Sequence, residues 1–90
     1  MKTQKIFISG IVQGVNFRSF IKEKADEFDI KGYVRNLEDG RVEIIAQGSP
    51  DNLREFLKEC NKGPIGSRVK NVISEDFPHQ DFLGFKILRN

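Results

Sequence analysis

Gly32-Tyr33-Val34-Arg35-Asn36-Leu37-Glu38-Asp39-Gly40-Arg41-Val42-Glu43-Ile44-Ile45-Ala46-Gln47 reads as two short runs folded against each other. The first run covers residues 30–37 and the second residues 41–47, with Glu38-Asp39-Gly40 between them. In the second run Val42, Ile44 and Ala46 alternate with Glu43 and Gln47, which is the period of a strand with one buried face. Asp-Gly at the junction supplies the positive φ that a tight hairpin turn needs. This hairpin decides the fold, because each side of it is flanked by a helical pattern and then by a further strand.

Upstream, residues 5–12 are rich in β-branched side chains and bounded by polar and glycine positions, as a largely buried strand should be. Phe17, Phe20, Ile21, Ala25 and Phe28 then recur at spacings of three and four, which marks one apolar helical face. A helix is predicted from about Arg18 to a point before Gly32. Downstream, Ser49 is placed to cap a second helix, Pro50 suits its first turn, and Gly63-Pro64 follows its end. Leu53, Phe56, Leu57 and Cys60 line its inner face. Residues 68–75 read as another strand, Pro78-His79-Gln80-Asp81 as a polar turn, and residues 84–88 as a short final strand. Strand, helix, strand, strand, helix, strand is the order of a ferredoxin-like split βαβ sandwich. That α+β class is an antiparallel sheet with two helices on one face, here with a short extra C-terminal strand.

The chain has 90 residues, enough for one domain, expected to span 1–90. Hydrophobic residues make up 38% and charged residues 31%, a globular balance. Eight Phe supply much of a thin core. One His, one Cys and one Met leave little conventional catalytic chemistry. A Ser-His-Asp hydrolase stays arithmetically open, whereas a multi-His or multi-Cys metal centre and an internal disulfide do not. The net charge of +2 is too weak to argue for nucleic acid. No apolar run approaches the ~18 residues of a membrane span. The cytosol is the expected location.

Gln13-Gly14-Val15-Asn16-Phe17-Arg18 joins the first strand to the N-terminus of the first helix. Such a junction concentrates unpaired N–H groups and the positive end of a helix dipole, so it favours anions. Gly14 permits a backbone nest, and Arg18 adds a permanent planar cation suited to phosphate oxygens. Read alone, these residues fit a solvated surface turn better than a site.

Their context is more specific. Residues 8–18, Ile-Ser-Gly-Ile-Val-Gln-Gly-Val-Asn-Phe-Arg, resemble the first signature of the acylphosphatase family, G-x-V-Q-G-V-x-F-R at its core. Residues 32–42, continuing from Glu43 to Gly48, are similar to the second, and Gly63-Pro64 also fits. The resemblance covers essentially the whole chain. It implies hydrolysis of a carboxylic–phosphoric mixed anhydride to a carboxylate and inorganic phosphate. By the same resemblance Arg18 binds phosphate, Asn36 orients the attacking water, and the backbone of Gln13, Gly14, Val15, Asn16 and Phe17 forms a phosphate cradle. The family pattern leaves Asn16 variable, and it reads as a permissive loop residue. No cofactor or metal is expected. The expected partner is a small acyl phosphate, with no nucleic acid and no membrane, and the chain is expected to be a monomer.

The same residues carry other readings. Asn36 stands close enough to Asp39-Gly40 to serve turn chemistry instead. His79 reads as a solvated loop residue, Cys60 as a small buried hydrophobe, and Glu38, Asp39 and Glu43 as a solvated hairpin edge. An RNA-recognition module shares the strand–helix order, and Lys31-Gly32-Tyr33 begins like its RNP1 motif. The match fails at Val34 and at Arg35, where an aromatic should stack on a base. Acylphosphatase-like domains also open larger hydrogenase-maturation proteins that handle carbamoyl phosphate; the expectation here is a free-standing enzyme. A non-catalytic phosphate-binding or regulatory module is the remaining alternative.

Overall fold

The computed structural model describes residues 1–89. Its elements run β1 (Lys2–Ile11), α1 (Phe17–Glu27), β2 (Lys31–Asn36), β3 (Val42–Gly48), α2 (Pro50–Lys62), β4 (Arg68–Asp76) and β5 (Phe85–Ile87). The five strands form one sheet in the order β4-β1-β3-β2-β5. The predicted sequence of elements is reproduced with boundaries shifted by up to three residues. The largest shift is at the start of β1, where Lys2 pairs with Gly48 and Gln4 with Ala46, so the ladder runs the full length of β3.

On the helix side of the sheet, Ile6, Ile8, Val34, Val42, Ile44 and Ala46 meet Ile21 and Ala25 of α1 and Leu53, Phe56 and Cys60 of α2. Burial of each Val, Leu, Ile or Phe among these stabilises by roughly 1.5–3 kcal/mol. The exposed ion pairs on the helix surfaces, such as Lys22–Asp26, contribute about 0.2–0.5 kcal/mol. Packing of the apolar stripes therefore decides where the helices lie. Cys60 is fully buried, and that burial pushes its thiol pKa far up, so it acts as a small core hydrophobe. Ser49 caps α2 as expected, accepting from the Asn52 amide at 3.1 Å.

The hairpin turn closes through Leu37 N–H to Arg41 O at 2.8 Å and Gly40 N–H to Leu37 O at 3.2 Å. The Asp39 carboxylate accepts from the Arg41 amide and guanidinium, which hold its pKa below the usual carboxylate range. A lowered folded-state pKa means this contribution is present at neutral pH and fades as pH falls through the carboxylate range. Close backbone approach fixes a residue on β1. A Cβ on Gly10 would lie 2.0 Å from the Arg68 carbonyl oxygen, at the bulge where β1 shifts register against β4.

Two expectations are corrected. The sheet is mixed rather than antiparallel, because β5 runs parallel to β2 at the sheet edge. To reach that edge from β4, residues 77–84 cross the face opposite the helices. Four strand spacings amount to about 19 Å, within reach of this near-extended segment. Residues 78–81 are thus part of a crossing. Thr3 donates to Gln47 Oε1 at 2.6 Å, the Gln80 amide donates to the same oxygen at 3.2 Å, and Gln47 Nε2 donates to Gln80 O at 3.0 Å. Phe82 meets Tyr33 edge-on, and Lys5 lies over Phe77.

The second correction is Glu43. It is buried at 4% exposure rather than solvated, because β3 is the central strand. It accepts from Arg35 Nε at 2.9 Å and Tyr33 Oη at 3.2 Å, with Lys5 Nζ at 3.9 Å. Burial, then the neighbouring Glu43 charge, raises the Tyr33 pKa. His79 is exposed beside Asp81, as predicted.

Gln47→Leu should leave the Thr3 hydroxyl and the Gln80 amide without their buried acceptor. A loss of about 1–3 kcal/mol in urea unfolding is expected. A variant as stable as wild type would show that the crossing segment is not anchored through Gln47.

Candidate active site

Both β1 and β2 pair antiparallel with β3, so they run parallel to each other, and β5 runs parallel to β2. All three consequently end at the same edge of the sheet. Across that edge Ile8 pairs with Val42 and Val42 with Asn36, one row from β1 to β2 on the helix-covered face. Although β1 and β2 are not neighbours, a single intervening residue therefore separates their side chains in this row.

The chain leaving β1 buries Val12 and then turns through two left-handed positions, Gly14 at φ 73° and Asn16 at φ 63°. Gly adopts this region without a Cβ clash, and Asn is among the few other residues that tolerate it. Asn16 is the residue before α1, and its side chain makes no cap bond. The first helical hydrogen bond runs from Phe20 N–H to Asn16 O at 3.2 Å. The amides of Phe17, Arg18 and Ser19 therefore lie ahead of the helical ladder, and no acidic residue stands in the first turn. These conditions favour an anion at the positive end of α1.

A cleft of about 400 Å³ opens here. Its walls are Val12, Gly14, Asn16, Phe17, Arg18 and Ser19 on one side, with Asn36 from β2 and Ile87 and Arg89 from the end of β5. Arg18 and Asn36, 18 positions apart in the chain, thus share one cavity. Arg18 Nη1 also donates to the Leu88 carbonyl at 3.3 Å. Asp39 and Gly40 close the hairpin, while Asn36 ends β2 and lines the cleft.

Two of the expected cradle residues do not line the cleft with the others. These are Gln13 and Val15, of which Val15 packs against the core; Phe17, although almost entirely buried, forms part of the wall. Gln13 sends its side chain to the hairpin, where Nε2 donates to Leu37 O and Arg41 O, each at 2.9 Å. One amide thereby ties the β1–α1 loop to the turn that follows Asn36. Ser19, Ile87 and Arg89 were not singled out by motif. Ser19 adjoins Arg18 in the first helical turn, but no local pattern shows which edge of the sheet β5 joins.

Gln13→Ala removes both hydrogen bonds between loop and hairpin. It should cost about 1–3 kcal/mol in unfolding stability and weaken inorganic phosphate binding. Wild-type values for both would show that the loop holds its shape without the hairpin.

Comparison with known proteins agrees with this architecture. The family model described as Acylphosphatase matches residues 4–87. An acylphosphatase of Thermotoga petrophila is 45% identical over 87 residues, covering 97% of both chains. One from Legionella pneumophila (strain Corby) is 44% identical over 84 residues, covering 93% of this chain and 92% of that protein. The crystal structure of an acylphosphatase from Bacillus subtilis superposes with a TM-score of 0.95 at 33% identity, covering 99% of this chain and all of that one. A family model spanning nearly the whole length, with relatives matched end to end, leaves one assignment: this chain belongs to the acylphosphatase family.

Proposed function

We propose that this acylphosphatase-family enzyme cleaves the carboxyl–phosphate bond of acyl phosphates, with Arg18 binding the phosphoryl group and Asn36 positioning the water. The observation that carries the reading is the meeting of Arg18 and Asn36 in one cleft at the positive end of α1. Backbone amides of residues 13–17 serve as the phosphate cradle, with Gln13 holding that loop to the hairpin through its side chain.

The chemistry suits so sparse a site. Water attacks phosphorus and the P–O bond to the carboxyl oxygen breaks, its electron pair leaving with the carboxylate. An acyl phosphate dianion and water thus give a carboxylate anion and the dihydrogen phosphate monoanion, so atoms and charge balance. The conjugate acid of the leaving group has a pKa of about 4, as in Asp or Glu, and it departs as an anion without a general acid. The loose transition state asks mainly for positioning and charge stabilisation. The Arg18 fork and aligned N–H dipoles supply the second. The Asn36 amide both donates and accepts, which orients water without acting as a base, and the water's protons pass to phosphate oxygens.

The same reading makes the protein a single domain over residues 1–90, monomeric, cytosolic and metal-independent. Among the described residues no helix is long and apolar enough to cross a membrane. Nucleic acid is not a ligand in this reading. In an RNA-recognition module the bare sheet face stacks bases, whereas here residues 77–84 cross that face and Glu43 lies beneath it.

A small synthetic acyl phosphate with EDTA present tests the proposal. Wild type should release phosphate at an unchanged rate in EDTA; loss of activity there would overturn metal independence. Asn36→Ala should lower kcat by about 10²-fold or more while inorganic phosphate still inhibits. Full activity in that variant would remove Asn36 from the mechanism. Arg18→Gln should raise KM and the phosphate inhibition constant together, and unchanged phosphate inhibition would refute the arginine assignment. Phosphate binding without turnover in wild type would favour the non-catalytic anion-binding alternative.

A further inference from the structure

The cleft holds a second guanidinium that neither signature motif includes. Arg89 follows β5, whose register sets Ile87 beside Val34, and Leu88 N–H still donates to Val34 O at 2.9 Å. Alternation then sends Ile87 and Arg89 to the helix-side face, while Lys86 and Leu88 line a separate pocket on the other. Arg89 lies two residues beyond Ile87, as Asn36 lies two beyond its partner Val34, and both line the cleft. Arg18 reaches the same strand end through its bond to Leu88 O. Among the described residues neither arginine is in a salt bridge, and no carboxylate lines the cleft.

Charge explains why two cations belong here. A phosphoryl group carries roughly −1.5 to −2 near neutral pH. The α1 N-terminus offers the equivalent of roughly +0.5, and Arg18 one full charge. Together they supply about +1.5, short of a full dianion by about half a charge, and Arg89 more than covers that difference. We propose that Arg89 is a second phosphoryl-binding residue, closing on the phosphate oxygens opposite the cradle. The proposal rests on the reading of this cleft as the phosphoryl site. It assigns the last strand a part in the chemistry as well as in the sheet. Arg89 is exposed and lines the cleft, so its guanidinium is open to an anion arriving from solvent.

The test compares wild type, Arg89→Gln and Arg89→Lys, with inorganic phosphate as probe. Two readouts are taken: inhibition of acyl phosphate hydrolysis, and the rise in Tm that phosphate produces. Arg89→Gln should weaken phosphate inhibition by about tenfold, the low end for a charge-assisted hydrogen bond at an exposed position. Its phosphate-induced rise in Tm should shrink in step, with Tm in phosphate-free buffer unchanged. Arg89→Lys should recover part of both effects, since it keeps the charge and loses the fork. Wild-type phosphate affinity in Arg89→Gln would overturn the proposal. So would a fall in phosphate-free Tm with the phosphate response intact, which would make Arg89 structural. The Tm series does not depend on turnover. If wild type failed to hydrolyse acyl phosphates, the hydrolase reading would fall while the role of Arg89 in anion binding was still decided.

Discussion

The antiparallel pairing of β3 with both of its neighbours is the constraint on which the rest of the molecule depends. It makes β1 and β2 parallel without making them adjacent, and it brings their carboxyl ends to one edge of the sheet. The loop after β1, the last residue of β2 and the N-terminus of α1 then converge there. Because β3 is central, all seven of its residues are buried, including Glu43 and Gln47 on the face away from the helices. Those two polar side chains need partners, and they find them in Arg35 and Tyr33, and in Thr3 and the crossing segment. The second face of the sheet is therefore organised by hydrogen bonding around buried polar groups, where the helix face is organised by apolar packing.

The site inherits its rigidity from this arrangement. Its cations and amides stand on the ends of secondary-structure elements, which move less than a free loop. The one irregular segment, residues 12–16, is tied at both ends. Val12 is buried in the core at one end, α1 begins at the other, and Gln13 bonds the middle to the hairpin. Phosphoryl transfer with a carboxylate leaving group asks for fixed charge and a fixed water more than for proton shuttling. A chain with one His, and with no carboxylate among the described residues of the cleft, is compatible with that demand.

Much of the fold was legible because its signals are local. The alternation of Val42, Ile44 and Ala46, the Asp39-Gly40 turn, and the Ser49-Pro50 start of α2 each depend on residues a few positions apart. Arg18 and Asn36 were legible by a different route. Their chemistry is ordinary for a surface arginine and a turn asparagine, and the two signature stretches around them were what singled them out. Glu43 was misread for the opposite reason. A carboxylate following Asp39-Gly40 looks solvated by local pattern, and its burial follows from a strand order that alternation does not encode.

By itself the sequence determined the period of each element, its caps and turns, the absence of disulfide chemistry, and the two motifs that mark the family. These follow from backbone sterics and from side chains within one or two turns of each other. Tertiary structure alone decided that β5 runs parallel to β2, that residues 77–84 cross the second face, and that Gln13 spans from loop to hairpin. It also decided that Arg89 enters the cleft of Arg18 and Asn36. Such contacts join residues tens of positions apart, and their pairing is chosen by strand order and by the need to satisfy every buried polar group, which no local stretch of chain specifies.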